Sequence, residues 1–70
     1  MSNEGSPFLH EKLKEMLEER GVSQSSLADK VGVSQPYMNQ LVNGDRVPSL
    51  NLLRSICGEL QVEAAEFLAD

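Results

Sequence analysis

The sequence has few of the residues that cross-link or anchor a protein. Its 70 residues include one cysteine, one histidine, one tyrosine and no tryptophan. One cysteine cannot form an internal disulfide, and one cysteine with one histidine falls short of the four ligands of a structural zinc site. No stretch approaches the roughly 18 apolar residues of a membrane span. Residues 1–6 are polar and acidic where a secretory signal would be basic. We therefore expect a cytoplasmic protein without disulfide, zinc or membrane anchor.

The chain is also short. A domain of this size buries only about 60% of the surface of its unfolded chain, which allows one core but not a core with a deep cleft. The sequence offers no pairing of a nucleophile with a base. We therefore expect one domain over residues 7–70 after a flexible tail at 1–6, with no enzymatic activity, no cofactor and no small-molecule ligand.

Basic residues are in the minority. Six basic and eleven acidic residues give a formal net charge of −5, whereas phosphate-binding proteins usually carry a basic footprint. The acidic excess lies at both ends of the chain, and residues 23–48 hold two basic and two acidic residues. The central segment is therefore neutral, which leaves a nucleic-acid partner possible there.

Apolar residues recur at helical rather than strand spacing. Ser6 followed by Pro7 is typical of a helix start, and the first helix is predicted from there to about Arg20, before Gly21. Serines 23, 34 and 49 and glycines 32 and 44 bound three further helices, and a short fifth helix follows. The residues predicted to face the core are Leu9, Leu13, Met16, Leu17, Leu27, Ala28, Val31, Val33, Met38, Leu41, Val42, Leu50, Leu53, Ile56, Cys57 and Leu60, and the last short helix holds Ala64, Phe67 and Leu68. The sequence therefore predicts an all-α protein with five helices.

Two short helices between Gln24 and Asn43 are joined by a tight turn at residues 31–34. Such a pair crosses steeply, as in a helix-turn-helix. Ala28 has to be small because the second helix of the pair passes over it, and Gly32 supplies a positive φ.

Residues 24–44, followed by Pro48-Ser49, resemble the helix-turn-helix of the phage-repressor family, the Cro and cI or XRE type, and the resemblance covers about residues 8–68. It implies a compact five-helix, lambda-repressor-like DNA-binding domain with the helix-turn-helix at helices 2 and 3. It also implies a bacterial or phage-encoded, nucleoid-associated transcription regulator, a repressor, that binds a double-stranded DNA operator as a homodimer. The recognition helix, about residues 35–43, would then enter the major groove.

The same resemblance implies which side chains touch DNA. It implies contacts to DNA base edges from Gln35, Pro36, Asn39 and Gln40. The DNA backbone contacts that it implies come from Gln24, Ser34, Tyr37, Asn43 and Arg46.

The outward face of the third helix can be interpreted without the family. At about 100° per residue, Gln35, Pro36, Asn39, Gln40 and Asn43 fall on one side of this helix, opposite its apolar residues. Carboxamides offer a donor and an acceptor side by side, which match N6 and N7 of adenine in the major groove. The alternative is a merely solvated polar face.

Several single residues also have a purely structural interpretation. Ser34 could be a helix cap alone, Tyr37 could pack partly into the core, and Arg46 could be a solvated loop charge. His10 is interpreted as a surface residue because no oriented partner lies near it in the sequence. Cys57 is interpreted as a small buried apolar residue rather than a redox sensor.

The predicted recognition helix contains no lysine or arginine, so binding by one subunit should be weak. Two subunits on two half-sites would compensate, and we expect dimerisation through Phe67 or Leu68, which cannot easily both point inward from so short a helix. The alternative function is a protein-interaction module, an antirepressor or regulator-docking domain, which the net charge of −5 favours.

Overall fold

A computed structural model describes residues 8–68, which form four α-helices and a 3-10 helix. The bounds are α1 His10–Arg20, α2 Gln24–Val31, α3 Gln35–Asn43, α4 Leu50–Leu60 and the 3-10 helix Ala64–Phe67. Within this described range the only strand pairing is an isolated antiparallel bridge between Phe8 and Leu68. The all-α prediction is confirmed, although the fifth element is a single 3-10 turn rather than an α-helix.

The predicted helix boundaries are set by serine caps and by glycines. The hydroxyls of Ser23, Ser34 and Ser49 each accept a hydrogen bond from the amide three residues later, which satisfies a donor that has no partner within the helix. Gly32 and Gly44 end α2 and α3 with φ of 79° and 86°, the left-handed region that glycine enters without steric cost.

The start of α1 differs from the prediction. The helix begins at His10, and Leu9 precedes it without a side-chain cap; Ser6 and Pro7, with the tail at 1–6, lie outside the described residues. Phe8 instead runs extended beside Leu68, and its buried ring lies 6.3 Å from that of Phe67. The Leu9 amide donates to the Phe67 carbonyl at 2.7 Å. These contacts join the two ends of the described chain.

The core lies between the four helices and the 3-10 helix, and nearly all of it was predicted. The buried apolar residues are Phe8, Leu13, Met16, Leu17, Leu27, Ala28, Met38, Leu41, Val42, Leu53, Ile56, Cys57, Leu60 and Phe67. Val31, Val33 and Ala64 pack against this core but are only partly buried.

Two residues that were assigned to the core are exposed, Leu9 at 39% and Leu50 at 63%. Leu68 is 39% exposed while Phe67 is buried, as expected for a pair that cannot easily both point inward. Leu9 and Leu68 lie just outside their helices, so helical spacing does not determine where they point. Leu50 is the first residue of α4, one turn before the buried Leu53. Phe8, by contrast, is a core residue that the helical pattern missed.

Candidate nucleic-acid interface

Helices α2 and α3 form the helix-turn-helix that the sequence predicts. Gly32 ends α2 in the left-handed conformation, and the amide of Val33 donates to the carbonyl of Ala28 at 3.0 Å. Ala28 has no exposed surface, and α3 packs against the helix that contains it. The other inner contact of α3 is with α1, and these two helices hold α3 by its apolar side.

The outer side of α3 bears the polar residues that were predicted there. We call Gln35, Pro36, Asn39, Gln40 and Asn43 the amide face of α3. All of them are exposed except Gln40, which is half-buried. Met38, Leu41 and Val42 lie on the opposite side and are buried, so the predicted division of this helix into an apolar and an amide-rich side is confirmed.

Two side chains of the amide face, those of Asn39 and Asn43, are hydrogen-bonded to each other, and Asn39 is also bonded to α2. Nδ2 of Asn43 donates to Oδ1 of Asn39 at 3.0 Å, and Nδ2 of Asn39 donates to Oε1 of Gln24 at 3.2 Å. Gln24 is the first residue of α2. The chain of hydrogen bonds therefore crosses from the recognition helix to the start of the preceding helix. A carboxamide has two N–H donors and two acceptor lone pairs, so bonding capacity toward a ligand remains at each residue.

Arg46, in the loop after α3, folds back onto the recognition helix. Its Nε donates to Oε1 of Gln40 at 2.6 Å, and its guanidinium carbon lies 5.1 Å from the centre of the Tyr37 ring, within the range of a cation–π contact. Tyr37 is half-buried and packs against the core with part of its ring. Sequence reasoning placed these three residues at one interface but did not predict that they touch, because contacts across a turn follow no helical periodicity.

In the first turn of α3 only the amide of Gln35 is left for a ligand, whereas in α2 the amides of Gln24 and Ser25 precede the capped amide of Ser26. Ser34 caps α3, and its hydroxyl accepts from the amide of Tyr37 at 3.2 Å. Pro36 lies in the first turn of α3, where its missing N–H costs no intrahelical hydrogen bond. A helix N-terminus with free amides favours an anion such as a phosphate.

His10 and Cys57 are not part of the amide face. The His10 ring is half-buried and packs against the backbone of Gly44 at the end of α3. Cys57 is buried, and this burial raises the pKa of its thiol above the usual value. Residues 8–68 contain no cluster of histidine, cysteine and acidic side chains that could hold a metal ion. Within the same range no helix is long and apolar enough to span a bilayer.

Two short, mutually packed helices joined by a tight turn, the second with an exposed polar side, are the arrangement of helix-turn-helix DNA-binding domains. The helix-turn-helix family model HTH_3 matches residues 13–67, and the chain belongs to this family, whose members are DNA-binding transcriptional regulators of the Cro/cI or XRE type. A comparison with curated proteins finds no significant match.

Several solved structures to which the chain is similar are regulators. The chain is similar to the restriction-modification controller protein C.AhdI from Aeromonas hydrophila, with 28% identity and a TM-score of 0.77 over 83% of this chain and 88% of that one. It is 31% identical to the clp gene regulator ClgR from Corynebacterium glutamicum, with a TM-score of 0.76 over 83% and 75% of the two chains.

The biofilm regulator SinR, from Bacillus subtilis, was solved in complex with DNA. This chain is similar to it with 28% identity and a TM-score of 0.74 over 81% of this chain and 92% of that one. SinR was also solved in a complex with the protein SinI.

Proposed function

We propose that the chain is a repressor that binds a specific double-stranded DNA operator as a homodimer, with α3 in the major groove. The observation that carries this proposal is the exposed amide face of α3 with Arg46 at its edge. An α-helix fits the major groove, where each base pair presents its own pattern of donors and acceptors. Side chains that each carry a donor and an acceptor suit this pattern.

The amide face supplies the proposed base contacts, from Gln35, Pro36, Asn39 and Gln40. Pro36 can offer only apolar contact, such as that with a thymine methyl group, while the three carboxamides can hydrogen-bond to base edges. The exposure of Gln35 and Asn39 supports their role, and the half-buried Gln40 keeps its outer edge available.

The proposed contacts to the DNA backbone come from Gln24, Ser34, Tyr37, Asn43 and Arg46, which surround the amide face. Gln24 and Ser34 lie at the starts of α2 and α3, where the amides that the serine caps leave unbonded, those of Gln24, Ser25 and Gln35, favour a phosphate. Arg46 can place its terminal nitrogens on a second phosphate. These contacts would set the register of α3 in the groove without reading sequence.

Dimerisation is proposed because the net charge of −5 and an uncharged recognition helix limit counterion release by one subunit. Two subunits on half-sites about 34 Å apart would combine two weak contacts. Phe67 is fully buried, which corrects the expectation that it contributes a partner contact. Leu68 is exposed and is the proposed dimer contact, together with the exposed Leu9, which follows the residue bridged to Leu68.

The proposal is tested by selecting bound duplexes from a random DNA pool, followed by salt titrations of a selected and a random duplex. We expect a two-fold symmetric site and an affinity for both duplexes that falls steeply with salt, the selected duplex remaining the tighter one. Equal affinity for the two duplexes, or affinity indifferent to salt, would overturn the proposal.

A protein-interaction module is the second candidate, favoured by the acidic ends of the chain and by the SinR–SinI complex of a relative. An acidic body repels DNA at long range. The two candidates are separated by DNA binding at about 50 mM salt, where phosphate contacts are strongest. An absence of binding to any duplex at this salt concentration would favour the second candidate.

A further inference from the structure

The hydrogen bond between Arg46 and Gln40 fixes which end of the Gln40 carboxamide faces outward. A guanidinium group has only donors and no acceptor. The atom of Gln40 that meets Nε of Arg46 at 2.6 Å must therefore be the carboxamide oxygen. The NH2 group, on the other branch of the same planar carboxamide, is directed away from Arg46, and one lone pair of the oxygen is already used.

Arg46 is itself held in place. Its guanidinium lies over the Tyr37 ring, and Tyr37 packs against the core in the first turn of α3. The guanidinium carries five N–H donors in a rigid fork. Its Nε can therefore bond Gln40 while its terminal nitrogens remain able to reach a phosphate, which the single ammonium group of lysine cannot do in the same geometry.

We propose that Arg46 is a positioning residue that sets the base preference at the base pair read by Gln40. This inference rests on the proposed function and adds to it that Gln40 acts there as a donor. The base nearest Gln40 then needs an acceptor on its major-groove edge, as guanine, thymine and adenine have. Cytosine, whose edge offers only the N4 donor, is selected against at this position.

The consequence is that Arg46 affects sequence readout as well as overall affinity. Without the Arg46 bond, the carboxamide of Gln40 can rotate by half a turn and accept from cytosine N4. Replacement of Arg46 should therefore relax the preference at one base pair. A residue that touches only phosphate would lower the affinity for all sequences by the same factor.

The test uses the full chain and a duplex selected by it from random DNA, with every single base-pair substitution of that duplex. The variants are Arg46→Lys, which keeps the charge, Gln40→Ala, Gln40→Glu, and the combination of Arg46→Lys with Gln40→Ala. Lys30→Ala is the matched control, because Lys30 is an exposed cation in the last turn of α2. Thermal unfolding confirms that each variant is folded.

We expect Arg46→Lys to reduce the discrimination against cytosine at one base pair by about tenfold, the size of one good base contact, and to leave the other positions unchanged. Gln40→Ala should act at the same base pair, and Arg46→Lys should then have no further effect there. Gln40→Glu should shift the preference at this pair toward cytosine, because a carboxylate accepts from N4.

Arg46→Lys with an unchanged preference profile, or with a loss spread evenly over all duplexes as for a residue that touches only phosphate, would overturn the inference while the specific binding of the wild-type chain stands. Additive effects of Arg46→Lys and Gln40→Ala at that base pair would also overturn it. A wild-type chain without any sequence preference would overturn the proposed function and this inference together.

Discussion

Gly44 shows how a single residue connects the recognition helix to the body of the protein. It ends α3 with a φ of 86°, and a Cβ atom there would lie 2.7 to 2.9 Å from three atoms of the His10 ring. Gly32 ends α2 with a similar φ of 79°, but a Cβ atom there would meet no heavy atom within 4 Å. Substitutions at the two glycines therefore distinguish the free-energy cost of the left-handed backbone conformation from the cost of crowding the His10 ring.

We predict that Gly44→Ala destabilises the protein more than Gly32→Ala. Both changes carry the left-handed penalty of about 1–2 kcal/mol, and only Gly44→Ala also displaces the His10 ring. Urea unfolding of the two variants measures the difference, and His10→Ala should reduce it. Equal losses for the two glycines would show that the contact between His10 and Gly44 does not contribute.

Cys57 gives a prediction about pH. Because burial raises the pKa of its thiol, the folded state binds a proton that the unfolded state releases once the pH exceeds the ordinary thiol value near 9.0. The stability that the protonated Cys57 thiol contributes is fully present below that value. It is lost as the pH rises through the higher pKa of the folded state. The free energy of unfolding should fall above pH 9.0 more steeply than in Cys57→Ala, and parallel curves would contradict the raised pKa.

At the scale of the helices, the end of α4 carries a cost that the other three helix ends avoid. Gly21, Gly32 and Gly44 end α1, α2 and α3, whereas Gln61 ends α4 with a φ of 59°. A residue with a Cβ atom in the left-handed region is unfavourable by about 1–2 kcal/mol. Glycine avoids this cost, but part of the gain is lost because glycine loses more backbone entropy on folding.

We therefore predict that Gln61→Gly raises the free energy of unfolding by up to about 1 kcal/mol. Gln61→Ala is the matched control, since it removes the same side chain but keeps the Cβ atom that causes the strain. Denaturant unfolding distinguishes the two variants. A Gln61→Gly protein no more stable than Gln61→Ala would contradict this explanation.

The helices were predictable because several local signals agreed. The Ser34 cap, the Gly32 and Gly44 ends and the buried side of α3 follow from capping and from helical periodicity. Apart from Leu50, the errors lie where the two ends of the described residues 8–68 meet. Phe8 and Leu9 are positioned by hydrogen bonds and ring packing with residues about sixty positions later, and no local pattern carries that information.

The interface itself could be predicted only in part. The amide face of α3 follows from helical spacing, and its exposure was predicted correctly. The pairing of Arg46 with Gln40 depends on the path of the chain after Gly44, and the bond between Asn39 and Gln24 depends on how α2 crosses α3. Both are tertiary contacts, so sequence spacing alone could not give them.

At the scale of the whole molecule, substitutions of the exposed Leu68 and of the buried Phe67 distinguish an effect on dimerisation from an effect on stability. We predict that Leu68→Ser lowers the homodimer fraction in sedimentation and weakens binding to a two-half-site duplex, with little change in unfolding. Phe67→Ala, in contrast, removes a ring with no exposed surface and should cost about 3–5 kcal/mol of stability. An unchanged dimer fraction in Leu68→Ser would contradict the proposed dimer contact.

With a net charge of −5 and as many acidic as basic residues in segment 23–48, the chain has few cations for phosphate contacts, so the proposed sequence recognition rests on the amide face of α3. Gln35 tests whether this face reads bases because it is an exposed member of the amide face. Gln61, exposed at the far end of α4, is the matched amide outside that face.

The most direct measurement is the affinity of Gln35→Ala and Gln61→Ala for the selected duplex and for each of its single base-pair substitutions. We predict that Gln35→Ala loses discrimination at one base pair, by the roughly 1–3 kcal/mol of one base contact, while Gln61→Ala keeps the wild-type profile. A uniform loss for Gln35→Ala at all positions, or a profile identical to that of Gln61→Ala, would contradict the account.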